Sequence, residues 1–307
     1  MSLSRWNTVA ETAYDLRIMT CGYETRASFV AKRHESGQDR TIVLDYESEG
    51  VFSYDDNKEY YLSLPNVELV AIHELSRALT DCLGELLNSQ DPEVILKVLF
   101  DVSSCSRSVM AKVFLTLASV LGPRAEITCV YALSAFESPP QGELPSHISE
   151  PVVGDLSGWS DDLSKPPCAV IGLGFEPGRA LGCMDYLEIP EVRLFMPVGA
   201  DERFEAAVRD ANAALIAEAG ELSVLPYSVL DPTATYEKLE SLIFGLLPTF
   251  RPVLIPLGPK IFAAVSMALA IKLLPQVCVW RTSAGSGSEV ADRKASGEVA
   301  VLVTHFS

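Results

Sequence analysis

Short apolar runs alternate with helical patterns along most of the chain. In the first half, the apolar runs stand at positions 16–21, 41–44, 67–72, 96–100 and 128–131. Longer segments between them, such as 74–88, repeat apolar residues at helical spacing. This alternation is typical of βαβ units, in which helices cover both faces of a parallel sheet. The pattern predicts an α/β fold of the Rossmann-like three-layer type, with the strand order 3-2-1-4-5.

The same series of elements occurs twice. A second helical pattern occupies 233–247, and apolar runs recur in the same order at 168–173, 192–195, 222–227, 252–255 and 277–280. After the first run of each series, the sequence GYETRA at 22–27 recurs as GFEPGRA at 174–180, with one inserted residue. We interpret this correspondence as an internal duplication. It predicts two tandem Rossmann-like domains with parallel sheets, related by a pseudo-two-fold axis.

A stretch rich in proline and glycine marks the predicted domain boundaries. We predict a first Rossmann-like domain over 1–135, a linker rich in proline and glycine over 136–166, and a second Rossmann-like domain over 167–307. Within the second domain, residues 283–296 are predicted as a mobile loop. The run 298–304 is predicted as a further strand at a sheet edge.

Ligands of open α/β sheets bind beyond the carboxyl ends of the strands, where the strand order reverses. That point lies between strands one and four, so the loops after these strands should face each other. Hydroxyl groups, cations and the amides of a helix N-terminus suit a phosphate group. The candidate ligand-binding residues on these loops are Glu24, Arg26, Asp101, Ser103, Ser104, Ser106 and Arg107 in the first half, and Glu176, Arg179, Gly258 and Lys260 in the second.

Each candidate also has a structural interpretation. Glu24 with Arg26, and Glu176 with Arg179, are suited to form ion pairs that brace their loops. The serines of the first half are suited to cap a helix, and Asp101 to accept hydrogen bonds from its own loop. The sequence alone leaves the functional and the structural interpretation open for every one of these residues.

The helices that follow the two fourth strands, at about 109–121 and 261–274, are apolar on nearly all sides. A helix with one wet face should instead show an amphipathic stripe. We therefore predict that these helices pack on each other, with Phe114 and Met267 in the seam. The two ligand crevices would then merge into one composite pocket, to which Arg26, Arg107, Arg179 and Lys260 all contribute. Burial of each helix under a neighbouring loop is the alternative.

Composition limits the classes of ligand and partner. The chain has 307 residues, of which 48% are hydrophobic, so it can bury a sizeable core and is not a disordered protein. Its formal net charge of −17 disfavours binding of duplex nucleic acid. The longest apolar helical stretch, 261–271, is too short to cross a bilayer. Seven scattered cysteines without a C-x-x-C motif favour a reduced, cytoplasmic protein with no zinc site.

Signals of catalysis are few. His73 follows the third predicted strand, and Cys105 lies near a helix N-terminus beside Arg107, a setting that favours the thiolate. Cys21 and Arg26 form a C-x4-R pattern that is one residue shorter than a phosphatase loop. The sequence predicts no cofactor and no metal, and it leaves open whether the protein is an enzyme.

Both loops after the fourth strands carry small residues and one cation: Ser103, Ser104, Ser106 and Arg107 in the first, and Gly258, Pro259 and Lys260 in the second. This pattern resembles the CRISPR-associated Rossmann fold (CARF) sensor family and its fused-pair relatives, over about 15–135 and 167–282. In that family the loops after strands one and four contact cyclic oligonucleotides at a two-fold interface. The resemblance implies a nucleotide sensor in a bacterial antiviral defence system.

Three functional hypotheses follow. The first is a sensor or adaptor that binds a nucleotide or another phosphorylated small molecule. The second is an enzyme that acts on a nucleotide or a phosphorylated sugar in the same crevice, with Asp101, Glu24 or Glu176 as acid–base groups. The third is a structural subunit whose apolar surfaces bind a partner protein.

Overall fold

The computed structural model describes residues 8–34, 39–138, 148–158, 162–283 and 291–306. The chain forms two compact units, one of residues 1–135 with 291–307 and one of residues 136–290. Each unit contains one six-stranded, mostly parallel sheet flanked by helices. The predicted fold class, two Rossmann-like three-layer α/β domains, is therefore confirmed.

The bounds of the regular elements are as follows. The strands are β1 Leu16–Cys21, β2 Thr41–Asp45, β3 Val67–Ala71, β4 Leu96–Asp101, β5 Ala125–Ser134, β6 Ile148–Pro151, β7 Pro167–Gly172, β8 Glu191–Val198, β9 Val224–Ser228, β10 Arg251–Pro256, β11 Cys278–Ser283 and β12 Ala295–His305. The helices named below are α1 Phe29–Arg33, α2 Tyr54–Leu62, α3 Leu75–Ser89, α4 Arg107–Leu121, α5 Arg179–Leu187, α6 Glu202–Ala211, α7 Ala213–Ala219, α8 Pro232–Leu246 and α9 Lys260–Lys272.

The strand order is β12-β5-β4-β1-β2-β3 in the first sheet and β6-β11-β10-β7-β8-β9 in the second. Five strands of each sheet are parallel and have the predicted order 3-2-1-4-5. Every residue of β1 is buried, because a central parallel strand is covered by helices on both faces. A shared strand order is what a duplication requires. Common descent of the two halves stays a prediction.

The sixth strand of each sheet corrects the predicted domain boundaries. β12 is antiparallel to β5 and completes the first sheet, although we predicted that it belongs to the second domain. Its buried Val299 and Val301 pack into the core of the first unit. β6, in the predicted linker, is antiparallel to β11 and occupies the edge of the second sheet. The second unit is therefore continuous in sequence, and it is inserted before the last strand of the first.

The apolar helices α4 and α9 are largely buried, and residues 261–270 of α9 are buried without exception. A Cβ at Gly172 would lie 2.3 Å from the ring of Phe262, so α9 is pressed closely onto β7. In the first unit, the ring of Phe114 meets those of Phe100 and Phe306 edge-on, at 6.0 and 6.4 Å between centroids. Phe114 thus packs against aromatic residues of its own unit. The predicted seam between the two helices stays a prediction.

No helix within the described part of the chain combines the length and apolarity needed to cross a membrane. All seven cysteines are buried as free thiols.

Candidate ligand site

In the first unit, the loops after β1 and β4 meet, as the strand order predicts. The Ser104 hydroxyl in the second loop donates a hydrogen bond of 3.1 Å to the Glu24 carboxylate in the first. Gly22 lies against the same serine, and a Cβ at this glycine would be 3.4 Å from that of Ser104. The junction of the two loops is therefore built from side chains, at the point where the strand order reverses.

Arg26 is a buried structural cation. Its Nε donates to Glu24 Oε2 at 2.7 Å, and the two side chains are only 5% and 13% exposed. Its Nη1 donates at 2.9 Å to the carbonyl oxygen of Ala132, a residue of β5 that lies beyond the end of the neighbouring β4. The guanidinium lies 5.3 Å from the Tyr131 ring centroid. Burial acts to lower the pKa of Arg26, but Tyr131 and Glu24 outweigh it and raise that pKa. This geometry matches the structural interpretation of the pair.

Asp101 and Ser103 join the ends of two strands. Asp101 is fully buried, and its Oδ1 accepts from both the backbone nitrogen and the hydroxyl of Ser103, at 2.9 and 2.5 Å. The same hydroxyl accepts from the backbone nitrogen of Ala132 at 2.8 Å. The end of β4 is thereby tied to β5, so these two candidates lie in the interior.

The N-terminus of α4 carries the remaining candidates of the first unit. Ser106 caps the helix, because its hydroxyl accepts from the backbone nitrogen of Val109 at 3.3 Å. Its own backbone nitrogen donates to the hydroxyl of Tyr46 at 2.7 Å. Burial raises the pKa of Tyr46, so this hydroxyl stays protonated. Arg107 is the first residue of α4 and is partly exposed, which leaves it at the surface of the candidate site.

Two buried asparagines hold the loops after the first strand of each unit, and the sequence analysis did not identify them. The Asn57 side chain donates to the carbonyl oxygens of Gly22 and Glu24, both at 3.0 Å. In the second unit, Asn212 donates to the carbonyl oxygen of Gly174 at 2.8 Å. Asn57 and Asn212 both follow the second strand of their repeat. A full alignment of the two halves could therefore have identified them from the sequence.

A segment near the C-terminus also holds the loop after β1. Asp292 accepts from the backbone nitrogen and the hydroxyl of Thr25, at 2.7 and 2.6 Å, and the Arg293 carbonyl accepts from the backbone nitrogen of Arg26. Burial acts to raise the pKa of Asp292, but the bonds from Thr25 outweigh it and lower that pKa. The predicted loop 283–296 is wrong at Ser283, which ends β11, and at Ala295 and Ser296, which begin β12. Its positions 284–290 lie outside the described residues.

In the second unit, the equivalent loops meet backbone to backbone. The backbone nitrogen of Gly258 donates to the carbonyl oxygen of Gly172 at 2.9 Å. A Cβ at Gly258 would lie 2.2 Å from the carbonyl oxygen of Leu173, so only glycine fits. At Gly174 a Cβ would lie 2.5 Å from Glu176 Oε2. Close approach, and not a hydroxyl network, joins the loops in this unit.

The charged candidates of the second unit are more exposed than those of the first. Arg179 Nη1 lies 3.5 Å from Glu176 Oε1, with side chains 15% and 25% exposed. Arg179 Nε is buried and has no hydrogen-bond partner within the described ranges. Lys260 is the first residue of α9 and is partly exposed, in the position that Arg107 has in α4. The convergence of all four candidate cations on one crevice stays a prediction.

The two cysteine candidates are poorly placed for nucleophilic chemistry, and the acid at the end of β2 is already paired. Cys105 is fully buried, and burial with the nearby Asp45 carboxylate raises the pKa of Cys21 to about 12. Asp45 ends β2, where an acid could contact a ribose, but its carboxylate already accepts from the Tyr54 hydroxyl and pairs with Lys58 at 3.1 Å. His73 is exposed. Among the described residues, no group of three or more His, Cys, Asp or Glu side chains could hold a metal ion.

Neither a protein-family model nor a curated protein matches this chain. The resemblance to the CARF family stays a prediction.

Proposed function

We propose that this protein binds a nucleotide or another phosphorylated small molecule at the carboxyl edge of its sheets. One observation carries the proposal: in both units, the helix after the fourth strand begins with a partly exposed cation where the strand order reverses. These cations are Arg107 on α4 and Lys260 on α9. Ligands of open α/β sheets bind at this point.

The helix dipole favours an anion at the start of α4 and α9. The first turn of a helix presents backbone N–H groups and a partial positive charge, so a cation there is unfavourable by about 0.3–1 kcal/mol. An anion such as phosphate removes that penalty and accepts hydrogen bonds from the same amides. Arg107 can offer a bidentate contact and Lys260 a point charge. In each unit, a bound ligand would thus neutralise the local positive charge of the helix start, on a chain of net charge −17.

The state of the carboxylates favours binding over catalysis. Asp101 is fully buried against Ser103, and Glu24 is held by Arg26 and Ser104. Acid–base catalysis requires a group that can reach the substrate, and these two are committed to the fold. The third candidate, Glu176, is more exposed and is paired with Arg179 at 3.5 Å. A sensor or adaptor, the role that the CARF resemblance implies, is therefore the functional class we propose, with bacterial defence as its setting.

The test is isothermal titration of the protein with AMP and inorganic pyrophosphate at low and high salt. We expect binding that weakens as salt screens the cations, and a raised melting temperature at saturation. Arg107→Ala should remove binding by the first unit, and Lys260→Ala binding by the second. The matched control is Lys112→Ala on α4, an exposed lysine away from the proposed sites. Lys272→Ala at the far end of α9 is a second control for binding only, because Lys272 pairs with Glu240 at 2.9 Å and contributes to stability itself.

Stability of the unliganded variants separates the two interpretations of these cations. If Arg107 and Lys260 serve a ligand, their alanine variants melt at an unchanged or higher temperature, because a charge that opposes the helix dipole is gone. If both variants melt lower than Lys112→Ala, and no phosphate compound binds the wild type, the cations are structural and the proposal fails.

A further inference from the structure

The carboxyl edge of the first sheet carries an exposed aromatic side chain in an unusual backbone conformation. Phe52, in the segment between β2 and α2, is 56% exposed and has φ of +42°. A bulky residue is seldom found in the left-handed region, and such strain concentrates at ligand sites. Neither its exposure nor its conformation is explained by a role in the core.

Phe52 forms a pair with the aromatic residue of the loop after β1. The ring centroids of Phe52 and Tyr23 are 6.1 Å apart, with the planes tilted by 45°. The backbone nitrogen of Ser53, next to Phe52, donates to the carbonyl oxygen of Tyr23 at 3.1 Å. Asn57 holds the same loop through its bonds to the carbonyls on either side of Tyr23. The two rings are therefore fixed relative to each other.

The second unit contains the same pair. Phe175 follows Gly174 as Tyr23 follows Gly22, and its ring centroid lies 6.1 Å from that of Phe204, at a tilt of 40°. The paired residues are 29 positions apart in both units, 23 to 52 and 175 to 204. Asn212 holds the glycine loop here as Asn57 does in the first unit. Phe204 also meets the ring of Phe136 edge-on, at 5.0 Å between centroids, and Phe175 packs against the core of its unit. What the two units share is therefore the spacing of the pair, the separation of its rings and the asparagine that holds the loop.

We infer that each aromatic pair stacks against the planar base of the bound nucleotide. This inference rests on the proposed function and names the part of the ligand that a phosphate site alone does not recognise. Every kind of base presents a π face to an aromatic side chain. Such stacking is a main source of affinity for nucleotides.

The charges along the edge give the ligand a direction. Glu47 and Glu49 are exposed beside Phe52, and Lys58 pairs with both Glu49 and Asp45, at 3.4 and 3.1 Å. Three carboxylates against one cation make this end less favourable for phosphate than for the amino groups of a base and the hydroxyls of a ribose. Arg107 stands at the other side of β1, after β4. The base would lie toward the β2 side and the phosphate toward the β4 side, across about two strand spacings, roughly 10 Å.

A protein partner is a weaker explanation of these rings. Protein interfaces rest on a fully desolvated, contiguous apolar centre. Around Phe52 the chain reads Glu47-Ser48-Glu49-Gly50-Val51 on one side and Ser53 on the other, so the ring stands among polar residues. One ring in such surroundings matches the footprint of a base better than that of a protein surface.

The test compares two ligands that differ only by the base. Titration with AMP and with ribose 5-phosphate should give an affinity for AMP at least about tenfold higher, the factor expected for one stacked base. In the double variant Phe52→Leu/Phe204→Leu, which keeps apolar volume but removes one ring of each pair, the preference for AMP over ribose 5-phosphate should fall. Phe244→Ala on α8 is the matched control, because this phenylalanine is 53% exposed but lies outside both pairs.

Each outcome decides between the two proposals. If ribose 5-phosphate binds as tightly as AMP in the wild type, or if the double variant keeps the full preference for AMP, the base-stacking inference is wrong and the phosphate site stands. If neither compound binds, both fail.

A second measurement needs no ligand. Phe52→Gly should melt higher than Phe52→Ala, because both lack the ring but only glycine relieves the positive φ. The reverse order would remove strain from the argument for this position.

Discussion

The loops after strands one and four are joined by different contacts in the two units. In the first unit, the loops after strands one and four are joined by a network in which Glu24 accepts from both Arg26 and Ser104. In the second, the equivalent loops touch through backbone atoms, with Gly258 against Gly172 and Leu173. The strand order is the same in both units, so topology brings the loops together and the side chains only determine how they are held.

This difference teaches how to weigh polar residues near a predicted site. The first unit has more hydroxyls and carboxylates among its candidate residues than the second. Most of these groups bond to each other or to the backbone, as in Asp101 with Ser103. What the two units share is a partly exposed cation at a helix start and an aromatic pair with the same spacing.

The largest effect should come from removing the strand that returns to the first unit. Deletion of 291–307 takes away β12 with buried residues such as Val301 and Leu302, each worth about 1.5–3 kcal/mol, and the bonds from Asp292 to Thr25. Against a typical total stability of about 5–15 kcal/mol, the first unit should unfold while the second keeps its structure. Hydrogen exchange resolved by peptide measures this.

The control for that deletion is Val303→Ser on the same strand, whose side chain is 47% exposed. It should leave both units protected. Loss of protection in the second unit, with the first intact, would overturn the assignment of β12.

The next largest contrast is between the two ion pairs. Arg26→Met leaves the Glu24 carboxylate buried without its cation, at a cost of about 3–5 kcal/mol. Arg179→Met breaks a longer, more exposed pair and should cost about 0–1 kcal/mol. Urea unfolding of both variants measures the difference. Adding Glu24→Gln to Arg26→Met should restore part of the loss, and equal costs for the two single variants would contradict the comparison.

The glycines separate the two edges at a smaller scale. Gly258→Ala places a Cβ 2.2 Å from a backbone oxygen, so the loops must move apart, at a cost of about 1–3 kcal/mol. Gly22→Ala makes only an ordinary contact at 3.4 Å and should be neutral or stabilising by about 0.4–1 kcal/mol. Thermal unfolding tests both. A destabilised Gly22→Ala would mean that the first edge is packed as tightly as the second.

The smallest effect concerns acid. His34 is buried against Arg17, whose Nη1 lies 3.4 Å from His34 Nδ1, with Tyr14 and Asp39 as the other ionisable neighbours. Burial, followed by the charge of Arg17, lowers the pKa of His34. Neutral His34 therefore contributes stability that is complete above the unfolded pKa of about 6.5 and is lost as pH falls below it.

We expect the wild type to lose more stability than His34→Gln between about pH 7.5 and 5.5, in urea unfolding at each pH. The difference between the two proteins isolates this histidine, because most carboxylates titrate below that range. Parallel curves for the two proteins would show that His34 does not carry the effect.

The sequence predicts the central strands well, and for a physical reason. Buried parallel strands are continuous apolar runs, and the predicted 16–21 has the same bounds as β1. Edge elements were harder to predict. β9 begins at Val224, two residues after the predicted start, because Leu222 lies in the preceding turn and is 99% exposed. β6 has only four residues, too few to show a period.

Pairing across long separations left no local signal. Nothing near residues 295–305 indicates that they pair with β5 and not with the adjacent second sheet. The site shows the same limit. The loops were predicted from topology, but the partners that hold them, Asn57, Asp292 and Tyr46, come from remote segments with no motif of their own.

The insertion of one unit before the last strand of the other has a consequence for synthesis on the ribosome. The first unit emerges first, but β5 has no antiparallel partner until β12 is translated. At about 5–20 residues per second, the intervening 155 residues of 136–290 take roughly 8–30 s to make. During that time the nascent chain presents an open, apolar strand edge, which invites pairing with other chains. The second unit, although its synthesis begins later, can thus be complete before the first unit.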